Sequence, residues 1–480
     1  MTDRRKENIK NLLLVVLFST TILLLYLLWS HDASSSFSLL RILSGGAEEA
    51  DIPGIEEVAV PRYVAVSSGN GVFRFAEGDT SEVSAQASAC ISEACAQGQI
   101  SVSEISSLQY STVMSRYDSV QIALSCDVPF SDFNNYHGIR AGTPADSIQN
   151  VSVVAFSEAS GESIFIYDGP QNRFFRLRTS EEHDYCSRLS AMCSLAPESF
   201  YNASEILGYG NAYIPVGVES SLSDSVYVSD AATGGRDLRT SMAEAVMGEN
   251  FDFVRRISDG FGNITYMYGY GQKTFTAGAD GSFEYRSEVS TGSAGDFYAD
   301  LRTAIAFTAR CGGWPLSADG SSELILDRAD SFSEGRSSGH SYYFVQLCGS
   351  VPVRGEDGYA VEISVTNGQV SYFRRYTISA SAPSASGRSM TAEPVNVIAN
   401  NCNHIYNVMH NNTLVAAVDE AFSNVSEALT GIHQGYFISP GRNTLVPCWI
   451  VRTNDGSEFF FDLYDAAPLG FSRQEQYGLE

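Results

Sequence analysis

The chain has 480 residues, of which 44% are hydrophobic, 11% aromatic and 18% charged, a globular composition too apolar for a disordered chain and too polar for a multi-span membrane protein. Thirty basic against 56 acidic residues give a formal net charge of −26, which excludes a partner held through phosphates by lysine and arginine, so no nucleic acid is expected. Only Lys6, Lys10 and Lys273 are lysines, which argues against lysine-based covalent chemistry. At roughly 100–200 residues per domain the length implies two to four domains.

Residues 1–10 form a short basic N-terminus. Asn11 to Trp29 (NLLLVVLFSTTILLLYLLW) is free of charge over 19 residues. As a helix this stretch is about 28 Å long, close to the roughly 30 Å hydrocarbon core of a bilayer. Arg4, Arg5, Lys6 and Lys10 precede it and no basic residue follows until Arg41, so the positive-inside rule puts the N-terminus in the cytoplasm and the rest outside the cell. The run exceeds the 7–15 apolar residues of a signal peptide, and Ser30-His31-Asp32-Ala33 lacks a small-x-small cleavage pattern. The expectation is an uncleaved single-pass anchor in the cell membrane. Ser19, Thr20 and Thr21 interrupt the span; their hydroxyls bond either back to their own helix or across to a neighbouring one. Without the first ten residues, which carry four basic and two acidic side chains, the remainder has a formal charge near −28.

Residues 30–57, rich in Ser, Gly, Ala and Glu, read as a juxtamembrane stalk. A first α+β unit is expected over 58–210. Arg62-Tyr-Val-Ala-Val66 and Val72-Phe-Arg-Phe75 flank a Gly-Asn-Gly turn, which predicts a hairpin. Ser81–Gln97 has helical composition, Val120–Leu124 reads as a strand, and Ser163–Tyr167 with Arg173–Arg178 as another hairpin. A central unit over 211–380 carries a helix near Leu238–Val246, strands at Ile264–Tyr268, Lys273–Thr276 and Phe283–Arg286, and a helix over Asp296–Ala309. Strands at His340–Gln346, Ala360–Val365 and Val370–Arg375 follow, the last two joined by Asn367-Gly368. A Ser/Ala/Pro-rich linker near Ala380–Gly387 leads to a C-terminal unit over 388–480. That unit has helices near Val395–Val408 and Thr413–Leu429 and closing strands Leu445–Val451 and Glu458–Leu463. Hairpins on short turns imply antiparallel sheets with packed helices, so the fold class is α+β.

All nine cysteines lie beyond the span, where disulfides are permitted. Sequence proximity suggests Cys90–Cys95, Cys186–Cys193, Cys311–Cys348 and Cys402–Cys448, leaving Cys126; buried thiols are the alternative, and connectivity is not deducible from sequence. Asn150, Asn202, Asn263, Asn411 and Asn424 open glycosylation sequons, of consequence only in a host that glycosylates. No catalytic, cofactor or metal site is signalled. The chain lacks G-x-S-x-G, S-x-x-K, H-E-x-x-H and a P-loop. Thr233-Gly-Gly-Arg-Asp237 lacks the G-K-[ST] of a phosphate loop, and His404 and His410 are six apart rather than on one helix face. Asp252 with Asp259, and Asp455 with Asp462, fit turns more simply than acid–base pairs. Tyr266-Met-Tyr-Gly-Tyr270 and Phe459-Phe-Phe461 fit strand cores better than ligand stripes.

The layout resembles the YycH-type regulatory proteins of Gram-positive bacteria, and shares much with the companion YycI type. The basic terminus and span (Arg4–Lys10, then Leu12–Trp29) precede a large α+β body. Phe251–Ile257 through Gly281–Tyr285, Tyr342-Tyr-Phe344 … Val351-Pro-Val353 … Val361–Val370, and Val446–Val451 … Phe459–Phe461 are similar to the repeated units of that family. The resemblance implies a non-enzyme without cofactors: an extracytoplasmic accessory regulator in a two-component system. Its partners would be a membrane sensor histidine kinase controlling cell-wall metabolism, and a YycI-like companion. Contact through the transmembrane helix would fall to Ser19, Thr20 and Thr21. An anchored cell-wall hydrolase and an exterior peptide- or ligand-binding module are the competing readings.

Overall fold

The computed structural model describes residues 52–473, apart from 79, 97–100, 138–146, 160–162, 179–182, 221, 291, 293–294, 317–322, 335–336, 356–357, 381–389, 412–416 and 440–442, and apart from the side chains of 230–237 and 334. The apolar segment Asn11–Trp29, with Ser19, Thr20 and Thr21, lies outside the described residues, as does most of the expected linker. Among the described residues no helix is long and apolar enough to cross a membrane.

Two sheets carry the fold. The first contains β1 (Tyr63–Ser68), β2 (Phe73–Phe75), β3 (Ser101–Ile105), β4 (Asp118–Pro129), β5 (Asn150–Ser157), β6 (Ser163–Asp168), β7 (Arg173–Arg178), β8 (Ser199–Asn202) and β9 (Tyr213–Val216). Their order is β3-β7-β6-β5-β4-β1-β2-β8-β9. The second, of 15 strands, contains β10 (Ser225–Ser229), β11 (Arg255–Ser258), β12 (Ile264–Tyr268), β13 (Lys273–Ala277), β14 (Phe283–Ser287), β15 (Leu324–Glu334), β16 (Ser337–Cys348), β17 (Val351–Arg354), β18 (Val361–Thr366), β19 (Gln369–Arg375), β20 (Ile378–Ala380), β21 (Leu429–Ser439), β22 (Thr444–Thr453), β23 (Glu458–Asp462) and β24 (Pro468–Ser472). Its main path runs β11-β12-β13-β14-β19-β18-β16-β17-β21-β22-β10-β20, with β15 on β16 and β23–β24 on β22. The α+β class is therefore observed, with antiparallel pairing throughout the described ladders except β17 beside β21, which run parallel. The stretches 211–380 and 388–480 contribute strands to one sheet, joined where β17 meets β21 and where β10 meets β22. β9, beyond residue 210, closes the first sheet on β8.

Local chemistry explains the turns. At β18–β19, Asn367 and Gly368 have φ of 50° and 69°, the left-handed pair a two-residue hairpin needs. Gly339 in β16 is required for a different reason: a Cβ there would stand 2.0 Å from the Val365 carbonyl oxygen. The helix Phe297–Arg310 starts on Asp296, whose carboxylate accepts from the backbone of Tyr298 and Ala299, satisfying donors that have no intrahelical partner. At its other end the buried Arg375 guanidinium donates to the carbonyls of Cys311 at 3.0 Å and Gly313 at 2.7 Å, a cation where the helix dipole is negative.

Alternation along β22 and β23 fills two cores. Trp449, Val451, Phe459 and Phe461 point to one face, where helices Pro394–Met409 and Val418–Ala428 cover them with Val397, Ile405 and Val425. Cys448, Ile450 and Phe460 point to the other, beside Phe437. The tyrosines and phenylalanines that resembled ligand stripes thus go largely inward: Tyr266 and Phe459–Phe461 are buried.

The nine cysteines stand as thiols, without a disulfide among the described residues, which corrects the expected pairings. Three have a geometric reason. Cys90 and Cys95 lie on one helix, Ser81–Ala96, where five residues separate Cα atoms by about 7.5 Å along the axis and turn the side chains apart, beyond disulfide reach. Cys186 lies in the first turn of the helix Tyr185–Met192 and Cys193 caps its end, about 10 Å apart on the same arithmetic. Cys402 packs in the core under the two C-terminal helices while Cys448 faces the opposite side of β22. Cys311 and Cys348 are thiols as well. Dithiothreitol is accordingly expected to leave the thermal midpoint of the folded chain unchanged; a fall of several degrees would reveal a cross-link.

Candidate functional site

The densest polar constellation lies on the face of β21–β23 away from the C-terminal helices, next to the core of Ile450 and Phe460. Continuing the alternation, Arg452 follows Ile450 on this face and Glu458 precedes Phe460. The two are direct cross-strand partners, and Arg452 Nε donates to Glu458 Oε1 at 2.5 Å. His433 stands opposite Ile450 on β21. Arg354 ends β17. Asp327 arrives by a different device: the β15–β16 register shifts between Leu326 and Arg328, and this bulge turns Asp327 inward beside the buried Leu326, as bulges re-aim side chains.

These groups meet around Asp327. Arg452 Nη2 donates to both carboxylate oxygens at 2.8 Å, and Arg354 Nη2 lies 2.7 Å from Oδ2. Arg354 Nε is 3.3 Å from Glu458 Oε2. Arg354 is 2% exposed, and its guanidinium nitrogens make ion pairs without directed hydrogen bonds, so it acts as a charge. Its guanidinium also lies 4.9 Å from the Tyr359 ring centre, a cation–π contact in a dry site. From the first sheet, Arg62 donates through Nε to the Ser125 carbonyl on β4 and through Nη2 to the Asp327 carbonyl, both at 3.0 Å. The cluster therefore ties β4 to β15, β17, β22 and β23.

Electrostatics follow from this packing. Burial pushes the Asp327 carboxyl up, but the guanidiniums of Arg354, Arg452 and Arg62 outweigh it and hold the group well below the usual carboxylate range. Burial likewise works against the charge on Arg452, and Asp327 with Glu458 more than restores it. His433 is pulled down to about 3, first by burial and then by repulsion from Arg452 and Arg354, so it is neutral at physiological pH. Burial pushes the Tyr359 phenol up. Asp327, Arg354, Arg452, His433 and Tyr359 thus hold fixed protonation states across the neutral range, which suits cohesion and not proton transfer.

A second polar joint lies where the helix Phe130–His137 of the first half meets Phe297–Arg310. Asp132 accepts from the Phe297 backbone at 3.3 Å, and its carboxyl is raised, chiefly by burial. Tyr136 stacks on Tyr298 with ring centres 4.2 Å apart, and its hydroxyl donates to Glu56 at 2.7 Å. Beneath, His340 Nδ1 and Asp300 Oδ2 are 2.8 Å apart, 5% and 2% exposed, and the Tyr342 hydroxyl donates to the Phe297 carbonyl at 2.6 Å.

The residues examined from sequence take quieter places. Asp259, Asp455 and Asp462 each accept backbone N–H groups in their own turns. His410 stacks on Tyr406, while His404 sits edge-on near Phe459 and Phe461. No group of three or more metal-ligating side chains occurs among the described residues. None of Asp327, Arg354, His433, Arg452 or Glu458 was marked by sequence motifs. Their one signal is a charge inside apolar strand text, as in Val351-Pro-Val-Arg354 and Trp449-Ile-Val-Arg452.

No family model matches the chain, and no curated protein is similar to it in sequence. Among solved structures, the crystal structure of YycH from Bacillus subtilis superimposes with a TM-score of 0.51 at 11% identity, covering 88% of this chain and 98% of that one. The YpeB C-terminal domain from Bacillus megaterium gives a TM-score of 0.26 at 11% identity over 50% of this chain and 98% of that one. The chain has a YycH-like fold.

Two outcomes test the cluster. Asp327→Asn keeps shape but strands buried guanidiniums, and is expected to cost about 3–5 kcal/mol in urea unfolding. His433 binds a proton in the unfolded chain below its ordinary pKa of about 6.5 but not in the fold, so stability is full above that pH and falls as pH drops toward 3. Between pH 6.5 and 5 the loss from this group is about 2 kcal/mol. His137, lowered to about 4 by burial, adds a loss of the same sign. His433→Gln should therefore be less acid-sensitive than the natural chain by about 2 kcal/mol over that window, measured by denaturant titration at each pH.

Proposed function

We propose that this protein is a membrane-anchored, extracytoplasmic, non-catalytic regulator that associates with a sensor histidine kinase of a cell-wall-controlling two-component system. The observation that carries the reading is the YycH-like fold, which extends over 88% of this chain and agrees with the family resemblance in its sequence. The charge-free segment Asn11–Trp29 with its basic flank supports an anchor with the N-terminus in the cytoplasm and the body outside. The chemistry of the buried cluster fits a body that transmits force or position: its carboxylates are consumed by its own arginines, leaving them engaged in cohesion.

On this reading regulation is a population shift. The kinase has active and inactive states, and the regulator changes their ratio by contacting one better than the other; a tenfold shift needs about 1.4 kcal/mol of differential contact. Ser19, Thr20 and Thr21 supply interhelical hydrogen bonds of roughly 0.6–2 kcal/mol each in a bilayer, enough for such a shift if they bond the kinase in one state only. A YycI-like companion would share the assembly.

The test reconstitutes the full chain with a candidate kinase in proteoliposomes and measures co-purification and autophosphorylation. The natural chain is expected to co-purify and to change the autophosphorylation rate severalfold. A variant with an unrelated span, and the triple substitution S19A/T20A/T21A, should lose that change. Unaltered association after the span swap would remove the helix contact, and an unaltered rate with the natural chain would remove the regulatory reading.

A further inference from the structure

Three edges of the two sheets are protected from pairing with another chain. β9 carries Pro215 and β24 opens on Pro468, which cannot donate to a ladder. β20 is three residues long. β11 differs. It ends the main path of the large sheet, with β12 as its sole strand neighbour among the described residues, and all four of its residues, Arg255-Arg-Ile-Ser258, are exposed. Its outer row of backbone N–H and C=O groups is a template for a further strand.

Charge on an edge is also a common way to prevent pairing, so the surroundings decide. A blunted edge has no use for exposed apolar anchors, and this one is bracketed by three aromatics besides Ile257. Phe253, just before β11, is 77% exposed, Phe261 in the β11–β12 turn is 87% exposed, and Tyr270 in the β12–β13 turn is fully exposed. Large apolar side chains projecting into water together mark an interaction surface. Two of them are held rigidly. Asp259 Oδ1 accepts from the backbone of Phe261 and of Asn263, both at 2.9 Å, and Asn263 Oδ1 accepts from Ala279 at 2.8 Å. Tyr270 has φ of 60° between two left-handed glycines, Gly269 and Gly271, a strained backbone that sends its ring outward.

We infer that β11 is a docking edge for an extended acidic segment of a partner protein, which adds as a further strand and packs apolar side chains against Phe253, Phe261 and Tyr270. The occupant is set by charge. Arg255 and Arg256 project to opposite faces of the strand, so glutamates or aspartates on both faces of an added strand would each find a guanidinium. A second copy of this chain fits poorly. Antiparallel self-pairing would bring the arginines of the two strands diagonally together, parallel pairing would set them face to face, and each copy carries a formal charge of −26. Backbone pairing gives affinity in this mode and alternate side chains give specificity.

The test uses the full chain in nanodiscs and fluorescence anisotropy with three labelled probes of about twelve residues: repeats of Val-Val-Glu-Glu, which place glutamate and valine on both faces of a strand, repeats of Val-Val-Lys-Lys, and the glutamate peptide N-methylated at alternate residues. The glutamate peptide is expected to bind at least tenfold more tightly than either of the others. R255E/R256E, at exposed positions and checked for folding by circular dichroism, should reverse the preference between glutamate and lysine. F261S/Y270S should weaken the glutamate peptide severalfold without reversing its charge preference. Equal binding of glutamate and lysine peptides would overturn the proposal, as would full affinity after N-methylation. So would R255E/R256E losing only affinity for added phosphatidylglycerol vesicles, which would make the patch a lipid contact. These readouts involve no kinase and compare variants that differ only at β11 and its flanking turns with the span unchanged, so their failure is distinguishable from failure of the regulatory reading.

Discussion

Everything in the larger sheet near its junction with the smaller one is organised by a single carboxylate, Asp327, and the guanidiniums that surround it. Arg62, Arg354 and Arg452 supply three positive charges; Asp327 and Glu458 supply two negative ones, and His433 stays neutral. Such a group is expensive to bury. An isolated ion in a dry interior costs several kcal/mol, and mutual attraction compensates only if the geometry is good. The cluster therefore demands that β15, β17, β22 and β23 and the approach to β1 arrive in one arrangement. A sheet of apolar strands alone would tolerate a two-residue slip, because alternation would be preserved. An arginine that must meet a carboxylate on another strand removes that freedom.

The same logic separates specificity from stability. Replacing a buried ion network with well-packed apolar residues is often neutral or stabilising, and the adjoining stretch of the same face shows how apolar packing would look, with Ile450 and Phe460 against Phe437. The charges earn their place through register and through the link that Arg62 makes between Ser125 and Asp327. The second joint, around Asp132, Tyr136 and Tyr298, works by stacking and hydrogen bonding and is closer to the surface. Two joints of different chemistry resist relative rotation better than one, which matters for a body that would report the position of one end at the other.

Sequence patterning revealed the elements whose signals are local. The β18–β19 and β13–β14 hairpins, the helix expected over Asp296–Ala309 and found over Phe297–Arg310, and the closing strands β22 and β23 all carry turn residues or helical spacing in their own text. What patterning missed depends on distant partners. Leu429–Ser439 is a central strand, although it contains Gly431 and Gly435 and follows a helix without punctuation; Gly435 is needed because a Cβ there would meet Ile450 and the Pro352 carbonyl. The grouping of β10–β24 into one sheet rests on the parallel β17–β21 pair and on β10 beside β22, which no turn announces. The cysteine pairings failed because proximity in sequence is not proximity across a helix or through a sheet. The ion cluster was invisible for a related reason: its residues are separated by up to several hundred positions, and a bulge, not an alternation, turns Asp327 inward.

An acidic body with arginines and exposed aromatics along a strand edge has consequences for association. The overall charge of −26 disfavours unspecific approach of anionic surfaces and polymers at long range, though salt confines the effect to about 8 Å at physiological ionic strength. Within that distance local charges govern, and Arg255 and Arg256, exposed on an open strand edge, offer local attraction to an acidic segment. A partner segment must then match three things at once: extended backbone, acidic side chains on both faces, and apolar groups for the projecting rings. Surface charge acts as the filter, and the strand edge supplies the affinity. The buried cluster, by fixing the strands around β15 and β17, holds the junction from which the sheet extends toward that edge.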